Sequence, residues 1–234
     1  MSTILEAVAE VAASQKPVLC LDTCDFLDVV RGTAREGPSQ ARAFRKAADV
    51  LAADPDRLQV IITYLVRHEW AQNIAEVRDE LSRYLKETDE RIGQIIEACG
   101  LGGGLAPAAG VGFSGLPLAG ELVTLAERLM DQAITIDRDD GCVERALARV
   151  MERRRPSHKR EIKDSIHWEH YLEFSRRLGG DGHAGRRIFT SANKADFWAD
   201  KNTSRIHPDL DGEANAAGLS FHGKLNDALR ELGI

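Results

Sequence analysis

Short unbroken apolar runs alternate with amphipathic stretches along the chain. Val18 to Leu21, set off by Pro17, and Leu58 to Thr63, Ile188 to Thr190 and Leu219 to Phe221 have the length and composition of strands buried in a parallel sheet. Ser39 to Ala53 reads as a helix capped by Ser39 and ended by the Asp54-Pro55 turn. From about Val66 to Cys99, Trp70, Ile74, Val77, Leu81, Leu85, Ile92 and Ile96 recur at helical spacing, with charges on the opposite face. A segment rich in Gly, Ala and Pro, Gly100 to Gly120, ends that helix. Shorter helices are expected over Leu118 to Asp131 and Gly141 to Arg154. Another opens at Asp164 with an apolar stripe of Ile166, Tyr171, Leu172 and Phe174, and a last one spans Lys224 to Leu232. Strands and helices in this order predict an α/β fold: a three-layer α/β/α sandwich around a central, mostly parallel sheet. One domain over residues 1–234, carrying a helical insertion at about 70–155, accounts for the pattern, and no internal repeat is present.

Four acids stand where strands or loops pass into helices. Asp22 follows the first apolar run, Glu69 falls in the first turns after the second, Asp164 opens the KDSIHWEHYLEF helix, and Asp196 follows the run at Ile188 to Thr190. In open α/β sheets, ligands bind beyond the carboxyl ends of the strands, so acids distant in sequence can meet there as a metal site. Singly, each has a plainer reading. Asp164 suits a helix N-cap, Glu69 a first-turn acid favoured by the helix dipole, and Asp22 and Asp196 turns.

Composition narrows the class. The apolar fraction of 43% in 234 residues suits a globular fold with a substantial core. MSTILEAVAEVAASQ carries Glu6 and Glu10 without a basic start, and no run is long and apolar enough to span a membrane, so a cytoplasmic location is expected. Cys20, Cys24, Cys99 and Cys142 include no CxxC pair, which favours four reduced thiols over a disulfide frame or zinc site.

Together, VLCLDTCDFLD, the Glu early in the second long helix, KDSIHWEHYLEF, and IFTSANKADFW followed by IHPDL resemble the PIN-domain nucleases, most closely the larger bacterial PIN-like branch with a helical insert. The resemblance runs from about Pro17 to Leu225 and is weakest between Glu97 and Asp140. It implies a flavodoxin-like topology and a Mg²⁺- or Mn²⁺-dependent endoribonuclease; many bacterial members are toxins of toxin–antitoxin pairs, so an antitoxin partner and a homodimer belong to the same expectation. By position, Asp22, Glu69, Asp164 and Asp196 match the family's acids. Mg²⁺ takes oxygen ligands and is usually held by one or two carboxylates plus substrate phosphate. Asp22 and Asp164 are accordingly expected as direct ligands, Asp196 as a ligand through water or a second ion, and Glu69 as the group orienting the attacking water. Ser191 and Asn193 are expected to support these ligands or touch phosphate. Many members carry an acid where this chain has Asn193, and commonly Asn where it has Cys24. Asn193 brings no negative charge, which bears on a second metal more than on the fold. A structure-specific DNA nuclease, another metal phosphoesterase and a catalytically inactive PIN-like interaction module remain the alternatives.

The net charge of −6 runs against a polyanionic substrate, but its distribution is uneven. Between Arg149 and Lys163 lie seven cations and two anions, immediately before Asp164. Arg153, Arg154, Arg155, Lys159, Arg160 and Lys163 are therefore the expected RNA contacts, against the reading of Arg149 to Arg155 as a solvated helix end. Arg186, Arg187, Lys194 and Lys201 extend the strip. Gly110, Gly112 and Gly115 spell GxGxxG without a preceding strand, and no GK[ST] follows, so a nucleotide loop is not indicated. His167 and His170, without a nearby Cys, read as partly buried or surface residues rather than zinc ligands.

Overall fold

The computed structural model describes residues 1–35, 37–101, 112–157, 161–200 and 203–234. The chain runs α1 (Ile4–Ala12), β1 (Val18–Leu21), α2 (Thr23–Arg35), α3 (Ser39–Ala53), β2 (Gln59–Thr63) and α4 (Tyr64–Leu101). After a 3-10 turn at Phe113–Gly115 come α5 (Leu118–Gln132), β3 (Ile134–Ile136), α6 (Asp140–Glu152), α7 (Lys163–Gly180), β4 (Arg187–Thr190), α8 (Pro208–Ala217), β5 (Ser220–His222) and α9 (Leu225–Glu231). All five strands are parallel, in the order β3-β2-β1-β4-β5. That order corrects the expected flavodoxin-like topology, in which β1 and β3 are adjacent: here β1 pairs with β2 and β4.

The period of two along each strand divides the core between the sheet's faces. Leu19, Leu21, Val60 and Ile62 pack with Phe26 of α2, Phe44 of α3, and apolar residues of α4, α5 and α9. Val18, Cys20, Ile61 and Phe189 pack with residues of α1, α7 and α8. Helices thus cover both faces, which is why the strands read as unbroken apolar runs.

Two expectations need correction. The stretch from Trp70 to Arg155 is not only a helical elaboration, because β3 lies within it and extends the sheet beside β2. Its three residues, Ile-Thr-Ile, are too short a run to separate from a helix end by periodicity. Ser39 begins α3 but does not cap it through its side chain; Pro38 occupies the cap position. The Gly110 of the GxGxxG match lies outside the described residues. Among the described residues, no helix is long and apolar enough to cross a membrane.

A buried ion network fixes the three helices on one side of the sheet. The Arg149 guanidinium, at the end of α6, donates to Glu169 of α7 at 2.5 Å, to Glu213 of α8, and to the Arg155 carbonyl at 2.8 Å. The Trp168 indole also donates to Glu213. Arg149→Ala removes the buried partner of Glu169 and Glu213, leaving them the more exposed Arg145 and Arg154, and should destabilise the protein by up to about 3–5 kcal/mol. Removing the half-exposed Arg154, which also reaches Glu213, should cost about 0–1 kcal/mol. Urea denaturation of both variants measures the contrast, and equal losses would show that burial does not set the energetics of this network.

Candidate active site at the carboxyl end of the sheet

Strand order places a seam at the centre of the sheet. From β1 the chain leaves through α2 and α3 on one face, and from β4 it leaves through α8 on the other, so a crevice forms between their carboxyl ends. Asp22 lies in that crevice, directly after β1. Its backbone N–H continues the β1–β4 pairing to the Thr190 carbonyl, and its buried carboxylate accepts from the Thr23 N–H at 2.7 Å and the Ser191 hydroxyl at 2.6 Å. On the other side, β1 and β2 part after Cys20 and Ile61. The buried Tyr171 hydroxyl satisfies the separated backbone groups, donating to the Leu21 carbonyl at 2.5 Å and accepting from the Thr63 N–H at 3.3 Å.

Glu69, in the second turn of α4, reaches back into this opening. It accepts from the Thr23 hydroxyl at 2.5 Å and lies 3.2 Å from both His167 Nε2 and Lys163 Nζ. Burial opposes its charge, but the bond and charge of His167, then Thr23 and Lys163, outweigh that and lower it to about 2. His167 is itself buried, 3.8 Å from Asp22, with Nδ1 2.7 Å from the Thr63 hydroxyl. Burial disfavours its protonation, but its bond to Glu69 and the charges of Asp22, Glu69 and Asp164 raise it above its ordinary value.

Asn193 ties the remaining acids together. Its Oδ1 accepts from the backbone N–H groups of Ala195 and Asp196, so Nδ2 faces the carboxylates and donates to Asp164 at 3.1 Å and Asp196 at 3.3 Å. Asp164 is at the second residue of α7 and makes no side-chain cap there. Burial, then the charges of Asp22 and Asp196, push it up to about 8 against His167 and Asn193. Asp22 is raised too, chiefly by burial. Behind them Asp25 is fully buried, accepting from the Thr190 hydroxyl at 2.7 Å, and burial followed by the charge of Asp22 raises it to about 8.

The four expected acids therefore share one electrostatic neighbourhood, with Ser191 and Asn193 bonded directly to them. Among the described residues, no three His, Cys, Asp or Glu side chains already stand in metal-ligand arrangement. Thr23 and Asp25 escaped the sequence reading, and His167, expected as a partly buried or surface residue, is instead fully buried among the acids. The available signal for His167 was its position three residues after Asp164, on the same helical face. Three described residues of the basic strip are engaged within the chain. Arg154 pairs with Glu152 and Glu213, Arg155 donates to the Ala195 and Asp196 carbonyls, and Lys163 meets Glu69. Arg153 is exposed in a left-handed conformation at the end of α6. Lys159 and Arg160 lie outside the described residues, as does Lys201.

Comparison with known proteins finds no matching family model, curated protein or solved structure.

The raised acids have a consequence for stability. A carboxyl held near 8 in the folded state, against an ordinary value near 3.8, keeps a proton that unfolding releases, so its contribution falls as pH rises across that interval. His167, raised, loses its contribution in the same direction as pH climbs through its folded value. Glu69, held near 2, contributes constantly above about 5 and weakens the fold only under stronger acid. In EDTA, the melting temperature should therefore decline from pH 5 to pH 8, and Asp164→Asn should flatten the decline. Melting curves across that range check it; an identical slope in the variant would place Asp164 outside the buried cluster.

Proposed function

We propose that this chain is a PIN-like, metal-dependent endoribonuclease. The observation that carries the reading is the meeting of Asp22, Glu69, Asp164 and Asp196 at the crevice between β1 and β4, around the shared donors Ser191, Thr23 and Asn193. Carboxylates raised by burial and then by one another's charge are a donor set that a hard cation relieves, and all offer oxygen. Mg²⁺ or Mn²⁺ fits this chemistry, with Asp22 and Asp164 as the ligands and Asp196 joining through water. Bound there, the ion would supply an activated water and charge neutralisation at the phosphodiester.

The chain's own groups have separable tasks. Ser191 and the Thr23 N–H fix the two oxygens of Asp22. Asn193 holds Asp164 and Asp196 in register without adding charge. Glu69 stays ionised, held by Thr23, His167 and Lys163, and is placed to orient water beside the crevice. His167 keeps a proton directed at Glu69 and Asp22, and Thr63 sets its ring orientation.

A second reading, a catalytically inactive interaction module, draws on one observation: His167 and Lys163 already compensate Glu69 within the chain. A structure-specific DNA nuclease would use the same carboxylates on another substrate. Purified protein incubated with labelled RNA and DNA, with Mg²⁺, Mn²⁺ or EDTA, separates the three. Metal-dependent cleavage of RNA alone is expected, and Asp164→Asn should lower it more than about a hundredfold, roughly 2.7 kcal/mol of barrier. The same variant should melt higher than wild type in EDTA, through relieved repulsion, and gain less from Mg²⁺. Wild-type turnover in the variant would remove Asp164 from the site; cleavage of neither polymer would favour the interaction module.

A further inference from the structure

Asp196 lies in a turn-rich segment between β4 and α8, where no regular ladder of hydrogen bonds fixes the backbone, so individual contacts set its position. Some of these are local. Asn193 Oδ1 accepts from the Ala195 and Asp196 N–H groups, and the Phe197 N–H donates to the Asn193 carbonyl at 3.1 Å. Others place the turn against its surroundings. Phe197, fully buried, packs against Trp168 of α7 and Phe189 of β4. From the direction of α6, Arg155 Nη1 donates to the Ala195 carbonyl at 2.7 Å and to the Asp196 carbonyl at 3.2 Å.

Arg155 is itself held. The buried Arg149 guanidinium donates to its carbonyl at 2.8 Å, which ties it to the ion network of α6, α7 and α8. Two residues further on, the buried Ser157 hydroxyl donates to the Glu161 carbonyl and lies 2.5 Å from the hydroxyl of Ser165, the neighbour of Asp164. The short stretch after α6 therefore touches both acid-bearing segments, the Asp196 turn through Arg155 and the first turn of α7 through Ser157.

We propose that Arg155 is a positioning residue for the acidic site, holding the Asp196 turn against α7 so that Asp196 and Asp164 stay close enough to serve one cation. Asn193 bridges the two carboxylates, and Arg155 fixes the backbone from which Asp196 projects. Groups that orient metal ligands from behind govern affinity almost as strongly as the ligands do. The effect on a cation rests on the nuclease reading above; the hold on the turn does not. In this role the half-buried Arg155 spends its donors on main-chain carbonyls and serves the carboxylates in place of RNA phosphate.

The test compares the full-length wild type with Arg155→Met, which keeps the apolar stem and removes the donors, and Arg155→Lys, which restores a donor. Arg138→Ala, at an exposed pair with Asp140, is the control. In EDTA, hydrogen–deuterium exchange over residues 194–198 should quicken about fivefold in Arg155→Met, because bonds that close the turn are lost. Arg155→Lys should recover much of the protection, and Arg138→Ala should match the wild type. Mn²⁺ binding without RNA, read by electron paramagnetic resonance, should weaken about tenfold in Arg155→Met. A melting temperature near that of the wild type is expected, since Phe197 and the ion network remain. Unaltered exchange in Arg155→Met would overturn the proposal. So would faster exchange with unaltered Mn²⁺ affinity, or a defect confined to weaker binding of a labelled oligouridylate in EDTA, which would make Arg155 a phosphate contact. A wild type that binds no Mn²⁺ sinks the metal reading, and faster exchange in the variant then still supports the hold on the turn.

Discussion

Asp22 accepts a hydrogen bond from Ser191 across the seam where β1 and β4 lie side by side and their outgoing chains turn to opposite faces of the sheet. Backbone pairing brings the two strands to this point in register, Leu21 opposite Thr190, so the next residue of each chain is delivered to the crevice without further ordering. The carboxylate position is therefore a consequence of strand order. Moving β4 away from β1 would take the Ser191 hydrogen bond from Asp22, and would separate Asp25 from Thr190, its partner immediately behind. Tyr171 does the corresponding work on the β2 side, bridging the two strands where they separate and leaving room for Glu69 and His167.

Concentrating acids at a buried seam carries an electrostatic cost, and the surrounding residues show how it is met. Glu69 is stabilised from two positions on α7, by the Lys163 ammonium and the His167 imidazole, four residues apart and hence on one face of the helix. Asp164 receives the amide dipole of Asn193, which also donates to Asp196, and burial and then the neighbouring acids still push Asp164 towards its protonated form. The cluster therefore divides into a half around Glu69, where compensation outweighs burial, and a half around Asp22 and Asp164, where burial and like charge outweigh it. The second half is where an additional positive charge is most strongly attracted. An acid in place of Asn193 would add to the repulsion and remove the donor that holds Asp164 and Asp196 together.

Much of the architecture was legible because a two-faced parallel sheet demands unbroken apolar strands. Val18–Leu21 and Ile188–Thr190 were read closely, and the long helix now bounded by Tyr64 and Leu101 was set by its sustained periodicity. What could not be read locally was decided by tertiary neighbours. β3 is three residues long and holds its place by pairing with β2. Strand order is equally invisible to periodicity, so the resemblance supplied a flavodoxin-like order that the β1–β4 pairing overturns. At the site, Asp22, Glu69, Asp164 and Asp196 were visible by their positions at strand and helix ends. Asp25 and the role of His167 were not, since an imidazole or a carboxyl in a helix acquires its role only from what the fold sets opposite it: Glu69 and Thr63 for His167, Thr190 for Asp25.

The same distinction governs the cations. A run such as Arg149 to Lys163 registers in sequence as one positive surface, but charge available to a partner is what remains after the chain has satisfied its own acids. Arg149 lies buried against Glu169 and Glu213, Arg154 is drawn to Glu213 beside it, and Arg155 supports the loop that carries Asp196 through two backbone carbonyls. These bonds orient α6, α8 and the Asp196 loop around α7, so the run contributes to the site by positioning its acids. Lys194, expected only as an extension of the strip, and Lys224 lie far apart in sequence, yet the fold brings both to one cleft. Charge density along the sequence and the grouping of charge in the fold thus differ, and it is the three-dimensional grouping that a charged partner meets.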